Sequence, residues 1–429
     1  MRKALFMTVT LLSIRWLHAW QLGVEHIGTK LDFYKNKAIA LVANNASRTQ
    51  NGTDTISYLQ KRGFNIKYLL APEHGFSGTV TAGTQVPHST EKKMQIPIIS
   101  LYRGNDKSQM IPQEILPNIR AIFFDLPHCG MRHYTYISTL YKLLELCATH
   151  ALPIIVFDRP NPLGARMEGP LVDSELHSFI SIAPIPVRYG LTIGELARYF
   201  NEHLLKIPAP LTIIPLHAYQ RTHKLAELTA PLSPNIPTQA SCAGYSFLGL
   251  LEEISPFFAG TKTQKPFRML LIPEKYALTR MQWESISALL KQYQIPNTRT
   301  RLFHQKNNTW YIGLNLTFTN IEKTKSFQLL LQLIKKFKSY GIKITFSGAF
   351  DKAVGTPLIR AYLNGKLSYK QLAQTINHNL DEFYRSVYPY LLYTPEPIVT
   401  HLKTSHHTGS ATYAKRYERS QAVKKSSIS

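Results

Sequence analysis

Cysteine is scarce in this sequence of 429 residues: Cys129, Cys147 and Cys242 are the only ones, and no two of them have CxxC spacing. A framework of paired disulfides is thereby excluded, and neither a zinc ribbon nor a dithiol redox motif is supported. In an exported chain, an odd number of cysteines leaves at least one thiol free or in an intermolecular bond.

Acidic residues are also scarce. The sequence has 26 Asp and Glu against 50 Lys and Arg, a net charge of +24. Residues 1–19 contribute +3 and residues 401–429 contribute +5, which leaves +16 for the body of the chain. A basic body suits an anionic partner, whether acidic glycan, acidic lipid or nucleic acid. The recognition modules of nucleic-acid-binding proteins are missing, so we do not expect nucleic acid to be the partner.

The N-terminus also lacks a hydrophobic run long enough to cross a bilayer. The apolar run Ala4–Ile14 is too short, and it lies between Arg2-Lys3 and Leu17-His18-Ala19, which is the layout of a secretory signal peptide. We therefore predict a signal at 1–19, export to the periplasm or the medium, and no membrane span after its removal. The alternative is a buried N-terminal helix. Residues 401–429 lack periodicity and indicate a basic disordered tail.

Motifs for cofactors and metals are also missing. No Gly-x-Gly-x-x-Gly follows the first predicted strand, which disfavours a dinucleotide. The run GFSG at 75–78 is one residue too short for Gly-x-Ser-x-Gly, and His74, His128 and His133 lack zinc spacing. We therefore expect no cofactor and no metal. Thr192-Ile193-Gly194-Glu195 forms a capping box, which accounts for Glu195 without catalysis.

In the first half of the sequence, short apolar runs alternate with longer amphipathic segments. This pattern predicts an α/β fold with βαβ units and a mostly parallel sheet. Helices are predicted over Thr53–Gly63 and Tyr136–His150. The predicted strands are Ala38–Asn44, Ile66–Ala71, Ile96–Leu101, Ala121–Asp125, Pro153–Asp158 and Leu211–Pro215.

The second half of the sequence has a different order of elements. A Pro-rich loop at Pro231–Thr238 separates it from the first half, and its pattern predicts a smaller α+β domain. The boundaries that follow are 20–240 for the first domain and 241–400 for the second. The predicted elements are strands at Arg268–Ile272 and Tyr311–Thr319 and helices at Leu278–Tyr293, Lys325–Lys338 and Ser368–Tyr384.

Carboxylates follow three of the predicted parallel strands: Glu73, Asp125 and Asp158, with Asn44 at the end of the first strand. Ligands of open parallel sheets bind beyond the carboxyl ends of the strands. Two acids converging there are suited to glycosidic bond cleavage, since one protonates the leaving oxygen and the other supports positive charge or a water. The alternative is that Asp125 and Asp158 cap loops or form ion pairs with Arg132 and Arg159.

At these residues the sequence resembles the exo-β-N-acetylmuramidases of the NamZ type, which remove N-acetylmuramic acid from the non-reducing ends of peptidoglycan fragments. The resemblance runs from about residue 22 to Tyr393. It implies a Rossmann-like domain followed by a smaller α/β domain, with the active cleft between them. The matching stretches are APEHGFSG at 71–78, SLYRG at 100–104, FDLPHCGMRHYTYISTL at 124–140, FDRPNPLGARMEGP at 157–170, YGLTIGELA at 189–197 and SPNIPT at 233–238.

The resemblance also implies roles for individual residues. Glu73 becomes the leading catalytic acid, and Asp125 and Asp158 border the cleft. Arg132 and Arg159 are hypotheses for binding the lactyl carboxylate of muramic acid, because a guanidinium binds a carboxylate through two parallel hydrogen bonds. The remaining residues implied in sugar binding are Asn44, His74, Tyr134, Asn161 and Glu168.

Several positions depart from the family pattern. His128 replaces an acid, Tyr189 replaces a histidine, and Ala259, Thr261 and Arg268 replace Glu, Arg and Glu. The sequence therefore supports an exported glycosidase acting on muramic-acid-terminated glycan. A catalytically degenerate homologue that binds peptidoglycan fragments without cleaving them is the alternative, and a basic nucleic-acid-binding protein is the third hypothesis.

Overall fold

The structure is a computed structural model that describes residues 20–81, 83–91, 95–102, 111–223 and 228–403. The predicted signal peptide and residues 404–429 of the predicted tail lie outside the described residues. In the described part, no helix is both long and apolar enough to span a membrane.

A mostly parallel sheet forms the centre of the first half, as the sequence predicts. Its strands run in the spatial order β3-β4-β2-β1-β5-β6-β9, and β3 alone is antiparallel to its neighbour. Each of the predicted strands is present within a few residues of its predicted ends, whereas β3 was not predicted. The strands are β1 (Ala38–Val42), β2 (Asn65–Ala71), β3 (Ser89–Glu91), β4 (Ile96–Ser100), β5 (Ile122–Phe124), β6 (Ile154–Phe157) and β9 (Leu211–Ile214).

Helices α1 (Thr55–Gln60), α2 (Tyr136–Thr149) and α3 (Ile193–Tyr199) connect these strands. The Asp54 carboxylate accepts a hydrogen bond from the Ser57 amide at 2.8 Å and so caps α1. Helix α2 buries the predicted apolar face of Leu140, Leu143, Leu144 and Cys147. The predicted capping box at the start of α3 is confirmed.

The second half is α+β, as predicted, and its main sheet has the order β11-β13-β12. Strands β10, β12 and β14 and helices α4, α7 and α8 were not predicted. The elements are α4 (Gln239–Leu251), β10 (Ile254–Ser255), β11 (Met269–Pro273), α5 (Arg280–Gln292), β12 (Asn297–His304), β13 (Thr309–Leu316), α6 (Ser326–Ser339), β14 (Thr345–Phe346), α7 (Phe350–Val354), α8 (Leu358–Leu363) and α9 (Tyr369–Val387).

The end of the described chain returns to the first half. Strand β15 (Ile398–Val399) pairs in parallel with β7 (Arg166–Glu168), which pairs antiparallel with β8 (Arg188–Tyr189). Hydrophobic side chains from both halves belong to one continuous buried cluster. The two parts of the sequence are therefore joined by an extensive apolar interface.

A buried ion pair lies where β7 and β8 meet helix α6. Glu168 accepts a hydrogen bond from Arg188 Nη1 at 3.0 Å, and it also accepts from the Ser326 amide at 3.0 Å and the Ser326 hydroxyl at 2.6 Å. Arg188 Nη1 donates to the Thr324 carbonyl at 3.0 Å. The carboxylate therefore caps the positive N-terminal end of α6 while holding a guanidinium that binds the chain just before that helix.

We expect Glu168→Gln to lower the free energy of unfolding by about 3 kcal/mol or more, because it leaves a buried guanidinium without its anion. The control is Glu284→Gln on the exposed Arg280–Glu284 pair, whose side chains are 91% and 60% exposed. That variant should change stability by less than about 1 kcal/mol. Urea unfolding measures both, and equal losses for the two variants would contradict the anchoring role of Glu168.

Candidate active site

Glu73 lies in the turn that follows strand β2, and 7% of its surface is exposed. Its neighbours His74 and Gly75 have φ angles of 71° and 73°, so the chain turns sharply at the end of the strand. The Gly83 amide donates to Oε1 at 2.7 Å, and the Thr135 hydroxyl donates to Oε2 at 2.6 Å. Both oxygens of the carboxyl group are therefore positioned, at the rim of the parallel sheet where the sequence predicts the site.

Thr135 has a special position, because it is the residue that precedes helix α2. Its side chain makes no capping hydrogen bond to that helix and is directed to Glu73 instead. The carboxyl group is thereby placed near the N-terminal, positive end of a 14-residue helix. The motif stretch at 124–140 contains Thr135, but the sequence alone gave no reason to pair it with Glu73.

A group of phenols lies behind Glu73 and brings in two more of the predicted residues. Asn44 Nδ2 donates to the Tyr136 hydroxyl at 2.9 Å, and that hydroxyl lies 3.4 Å from the Glu73 carbonyl. Tyr134 and Tyr136 both donate to the Leu232 carbonyl, at 2.9 and 3.2 Å. Burial raises the pKa of Tyr136, so this phenol stays protonated. Asn44 and Tyr134 thus support the Glu73 turn rather than presenting their own free polar atoms.

Asp125 and Arg159 form the buried ion pair that the sequence left open as an alternative. Arg159 Nε and Nη2 donate to the two Asp125 oxygens at 2.7 and 2.8 Å, and Nη2 also donates to the Arg48 carbonyl at 2.9 Å. Asp125 additionally accepts from the Thr55 hydroxyl and has no exposed surface. Among the described residues, Arg159 Nη1 has no hydrogen-bond partner.

Arg159 lines a pocket of about 120 Å³ that we call the Arg159 pocket. Its other polar residues include Arg48, Gln239 and His128, and Trp20 and Leu232 are among its apolar walls. Glu73 is not part of its lining, but Leu232 is shared, because its carbonyl binds the phenols behind Glu73. A pocket lined by two arginines, Arg48 and Arg159, therefore adjoins the residues behind the Glu73 turn.

Asp158 is bound on all sides. Its Oδ1 accepts from the Arg159 and Gly194 amides at 2.8 and 2.7 Å, and its Oδ2 accepts from the Thr192 and Tyr393 hydroxyls at 3.0 and 2.5 Å. The residue has no exposed surface. These contacts favour a role for Asp158 in capping helix α3 over a role in the cleft.

Arg132 is likewise enclosed within the fold. Nη1 donates to the Pro170 and Ile185 carbonyls at 2.8 and 2.6 Å, and Nη2 donates to the Ala353 carbonyl at 3.1 Å. It has no exposed surface, and burial lowers its pKa to about 9. This geometry favours a structural role over binding of a lactyl carboxylate.

The remaining sugar-binding hypotheses also have internal partners. Asn161 Nδ2 donates to the Leu191 carbonyl at 3.0 Å, and its Oδ1 accepts from the Leu163 amide at 2.9 Å. His74 Nδ1 lies 2.7 Å from the Val80 carbonyl, and Glu168 caps α6. Of the predicted residues, the structure therefore places Asn44 and Tyr134 behind the Glu73 turn and Arg159 in the adjoining pocket. The others have partners within the fold.

The positions that depart from the family pattern form local contacts of their own. His128 Nδ1 lies 2.6 Å from the Tyr189 hydroxyl, and burial lowers the His128 pKa to about 4, so the pair is neutral at pH 7. The Thr261 hydroxyl and the Ala259 amide both donate to Glu252 Oε1, at 3.0 and 2.9 Å. Arg268 directly precedes β11. The loop before β11 is thus organised around Glu252, which sequence reasoning did not single out.

Comparisons with known proteins identify the family. Residues 39–240 match the N-terminal part, and residues 243–393 the C-terminal part, of the family described as exo-beta-N-acetylmuramidase NamZ. Peptidoglycan beta-N-acetylmuramidase NamZ of Bacillus subtilis (strain 168) is 29% identical over 373 residues, which are 84% of this chain and 87% of that protein.

Two crystal structures of DUF1343 family proteins from Bacteroides fragilis NCTC 9343 have the same fold. The first has a TM-score of 0.75 and 24% identity and covers 88% of this chain and 99% of its own. The second has a TM-score of 0.69 and 25% identity and covers 87% and 99%.

The burial of Asp158 makes the stability of the protein depend on pH. Burial raises its pKa from 3.8 to about 7, against the opposing effect of its hydrogen-bond donors. The folded protein therefore binds the Asp158 proton more tightly than the unfolded chain does. The contribution of this group to the free energy of unfolding is fully present below about pH 4 and is lost as pH rises towards 7. We expect Asp158→Asn to flatten this part of the pH profile of the free energy of unfolding. Parallel profiles for the two proteins, measured by urea unfolding at several pH values, would contradict it.

Proposed function

Because this chain belongs to the family of exo-β-N-acetylmuramidase NamZ, we propose that it is a glycosidase that releases N-acetylmuramic acid from the non-reducing ends of peptidoglycan fragments. The observation that carries this proposal is the placement of Glu73, in the matching stretch APEHGFSG, with both carboxyl oxygens positioned at the rim of the sheet. Peptidoglycan lies outside the cytoplasm, which agrees with the predicted export to the periplasm or the medium.

Glu73 is the proposed general acid. In this role its carboxyl group delivers a proton to the glycosidic oxygen as the bond to the anomeric carbon breaks. Thr135 is compatible with both protonation states, because a hydroxyl group can accept from the protonated acid and donate to the carboxylate. The Gly83 amide and Thr135 fix the carboxyl group so that little reorganisation is needed during proton transfer.

A second carboxylate is the usual partner of the acid, but Asp125 and Asp158 are fully bound elsewhere. This favours attack on the anomeric carbon by the acetamido oxygen of the substrate itself, one of the known exceptions to the two-carboxylate scheme. Water then gives a proton to the Glu73 carboxylate and bonds to the anomeric carbon of the cyclic intermediate. The bond from that carbon to the acetamido oxygen breaks, which regenerates the acetamido group and the acid. The phenols and Asn44 behind Glu73 hold the turn in place during both steps.

Arg159 is the proposed ligand of the lactyl carboxylate. Asp125 fixes the guanidinium through Nε and Nη2, and Nη1, which has no partner among the described residues, is the proposed donor to a ligand in the Arg159 pocket. A guanidinium already oriented by a buried carboxylate loses little freedom when an anion binds, which favours affinity. Arg132, enclosed by carbonyl groups, is not included in this part of the proposal.

The neutral His128–Tyr189 pair favours the alternative, a degenerate homologue that binds without cleaving, because the family has an acid and a histidine there. Turnover decides between the two functions. Release of N-acetylmuramic acid from a muramic-acid-terminated disaccharide supports the enzyme, whereas retained binding without release supports the degenerate homologue.

We expect Glu73→Gln to lower kcat on the disaccharide by about 100-fold or more, since the amide cannot supply the proton. The loss should be smaller on a nitrophenyl β-N-acetylmuramide, because a good leaving group needs less protonation. The control is Glu145→Gln on the outer surface of α2, whose side chain is 40% exposed. Equal losses on both substrates would argue against Glu73 as the acid.

We expect Arg159→Lys to lose about tenfold or more of the preference for a β-N-acetylmuramide over the β-N-acetylglucosaminide, which lacks the lactyl group. Lysine keeps a charge beside Asp125 but cannot bind two carboxylates through a planar fork. The ratio of kcat/KM values for the two glycosides measures the preference. An unchanged ratio would show that the lactyl group binds elsewhere.

A further inference from the structure

The hairpin of β12 and β13 carries arginines and aromatic rings on one face. Arg299, Arg301 and Phe303 alternate along β12, and Trp310 of β13 pairs with Phe303, so these side chains lie on the same side of the sheet. We call Arg299, Arg301, Phe303 and Trp310 the arginine–aromatic patch. The Arg301 guanidinium lies 4.0 Å from the centre of the Trp310 ring, and the Phe303 and Trp310 rings are 5.1 Å apart.

The patch extends beyond the hydrophobic core. The core on this face reaches Trp283, which is 1% exposed and lies under Arg299 at 4.6 Å. Beyond it, Phe303 is 40% exposed and Trp310 is 44% exposed. Strand β12 is at the edge of its sheet. Burial in the core therefore does not explain these two rings, and large exposed aromatic side chains are common at binding surfaces.

The charge of the hairpin has one sign. Residues 297–316 contain Arg299, Arg301 and Lys306 and no acidic residue. Glu274, from the segment after β11, pairs with Arg301 at 2.7 Å and leaves the patch with excess positive charge. Such a surface suits a polymer that offers both sugar rings and carboxylates.

We propose that the arginine–aromatic patch binds peptidoglycan strands, at a surface separate from the Glu73 turn. Sugar rings of the glycan lie against Phe303 and Trp310, and the arginines pair with carboxylates of the lactyl groups and stem peptides. This choice of polymer rests on the proposed function. A second contact with the polymer raises the local concentration of chain ends at the active site without changing the chemical step.

The test is co-sedimentation of the full-length protein with purified, insoluble peptidoglycan. The Arg301→Gln/Trp310→Ala variant should bind at least about tenfold more weakly than wild type, and it should release N-acetylmuramic acid from the soluble disaccharide at the wild-type rate. The matched control is Lys37→Gln/Phe33→Ala. It removes another exposed cation–π pair, in which the Lys37 ammonium lies 2.9 Å from a Phe33 ring in a residue that is 69% exposed. That variant should bind peptidoglycan normally.

The single variant Arg301→Glu, which retains Trp310, should also weaken sedimentation, and thermal unfolding checks that each variant is folded. Unchanged sedimentation of folded patch variants would overturn the proposal, as would equal losses in the Lys37/Phe33 control. Loss of binding to duplex DNA with normal binding to peptidoglycan would assign the patch to nucleic acid and also overturn it. Failure of the proposed function is seen separately, as the absence of turnover of the soluble disaccharide by wild type.

Discussion

The contact of Glu168 and Arg188 with the start of helix α6 is the interaction on which the relation between the two halves depends. Arg188 also donates to the Leu163 carbonyl, so one guanidinium contacts the loop after β6, strand β7 and the chain before α6. A buried charge pair is stable only when its geometry is good and further hydrogen bonds accompany it, and Glu168 and Arg188 each have several. The joint between the halves is therefore specified by directional hydrogen bonds, whereas the apolar cluster around it supplies most of the non-directional stabilisation.

The same requirement explains why so many charged residues of the matching stretches do not face a ligand. Asp158 caps α3, Arg132 binds three carbonyl groups and Asp125 fixes Arg159. The residue type at a position that only supports the rim can be as restricted as at one that contacts a ligand. The reason is that a buried charge with a missing partner is costly. Glu73 differs, since it has both exposed surface and donors that hold it at the rim.

The sequence predicts the sheet and most helices because those segments bury continuous or periodic apolar faces. It does not predict β12, because the residues of this edge strand are mostly exposed or half-buried. It does not predict α4 either, because this helix is buried on most sides and shows no amphipathic period. Within the candidate site, the strand ends predicted Glu73, Asp125 and Asp158, whereas Arg159 as a ligand-binding residue came from the family resemblance. Thr135 and Tyr136 could not be paired with Glu73 in advance, because contacts across 62 and 63 residues depend on the packing of α2 against the sheet.

The distribution of charge connects the fold to the basic character of the chain. Inside the protein, acidic and basic side chains meet in pairs, as in Asp125–Arg159, Glu168–Arg188 and Glu195–Arg221. Because the buried charges nearly cancel, the excess of Lys and Arg lies on exposed segments such as the β12–β13 hairpin. A surface potential of one sign attracts an anionic polymer from a distance and loses strength as salt is added. Screening therefore weakens contacts of the exposed hairpin more than those of the Arg159–Asp125 pair, which is buried.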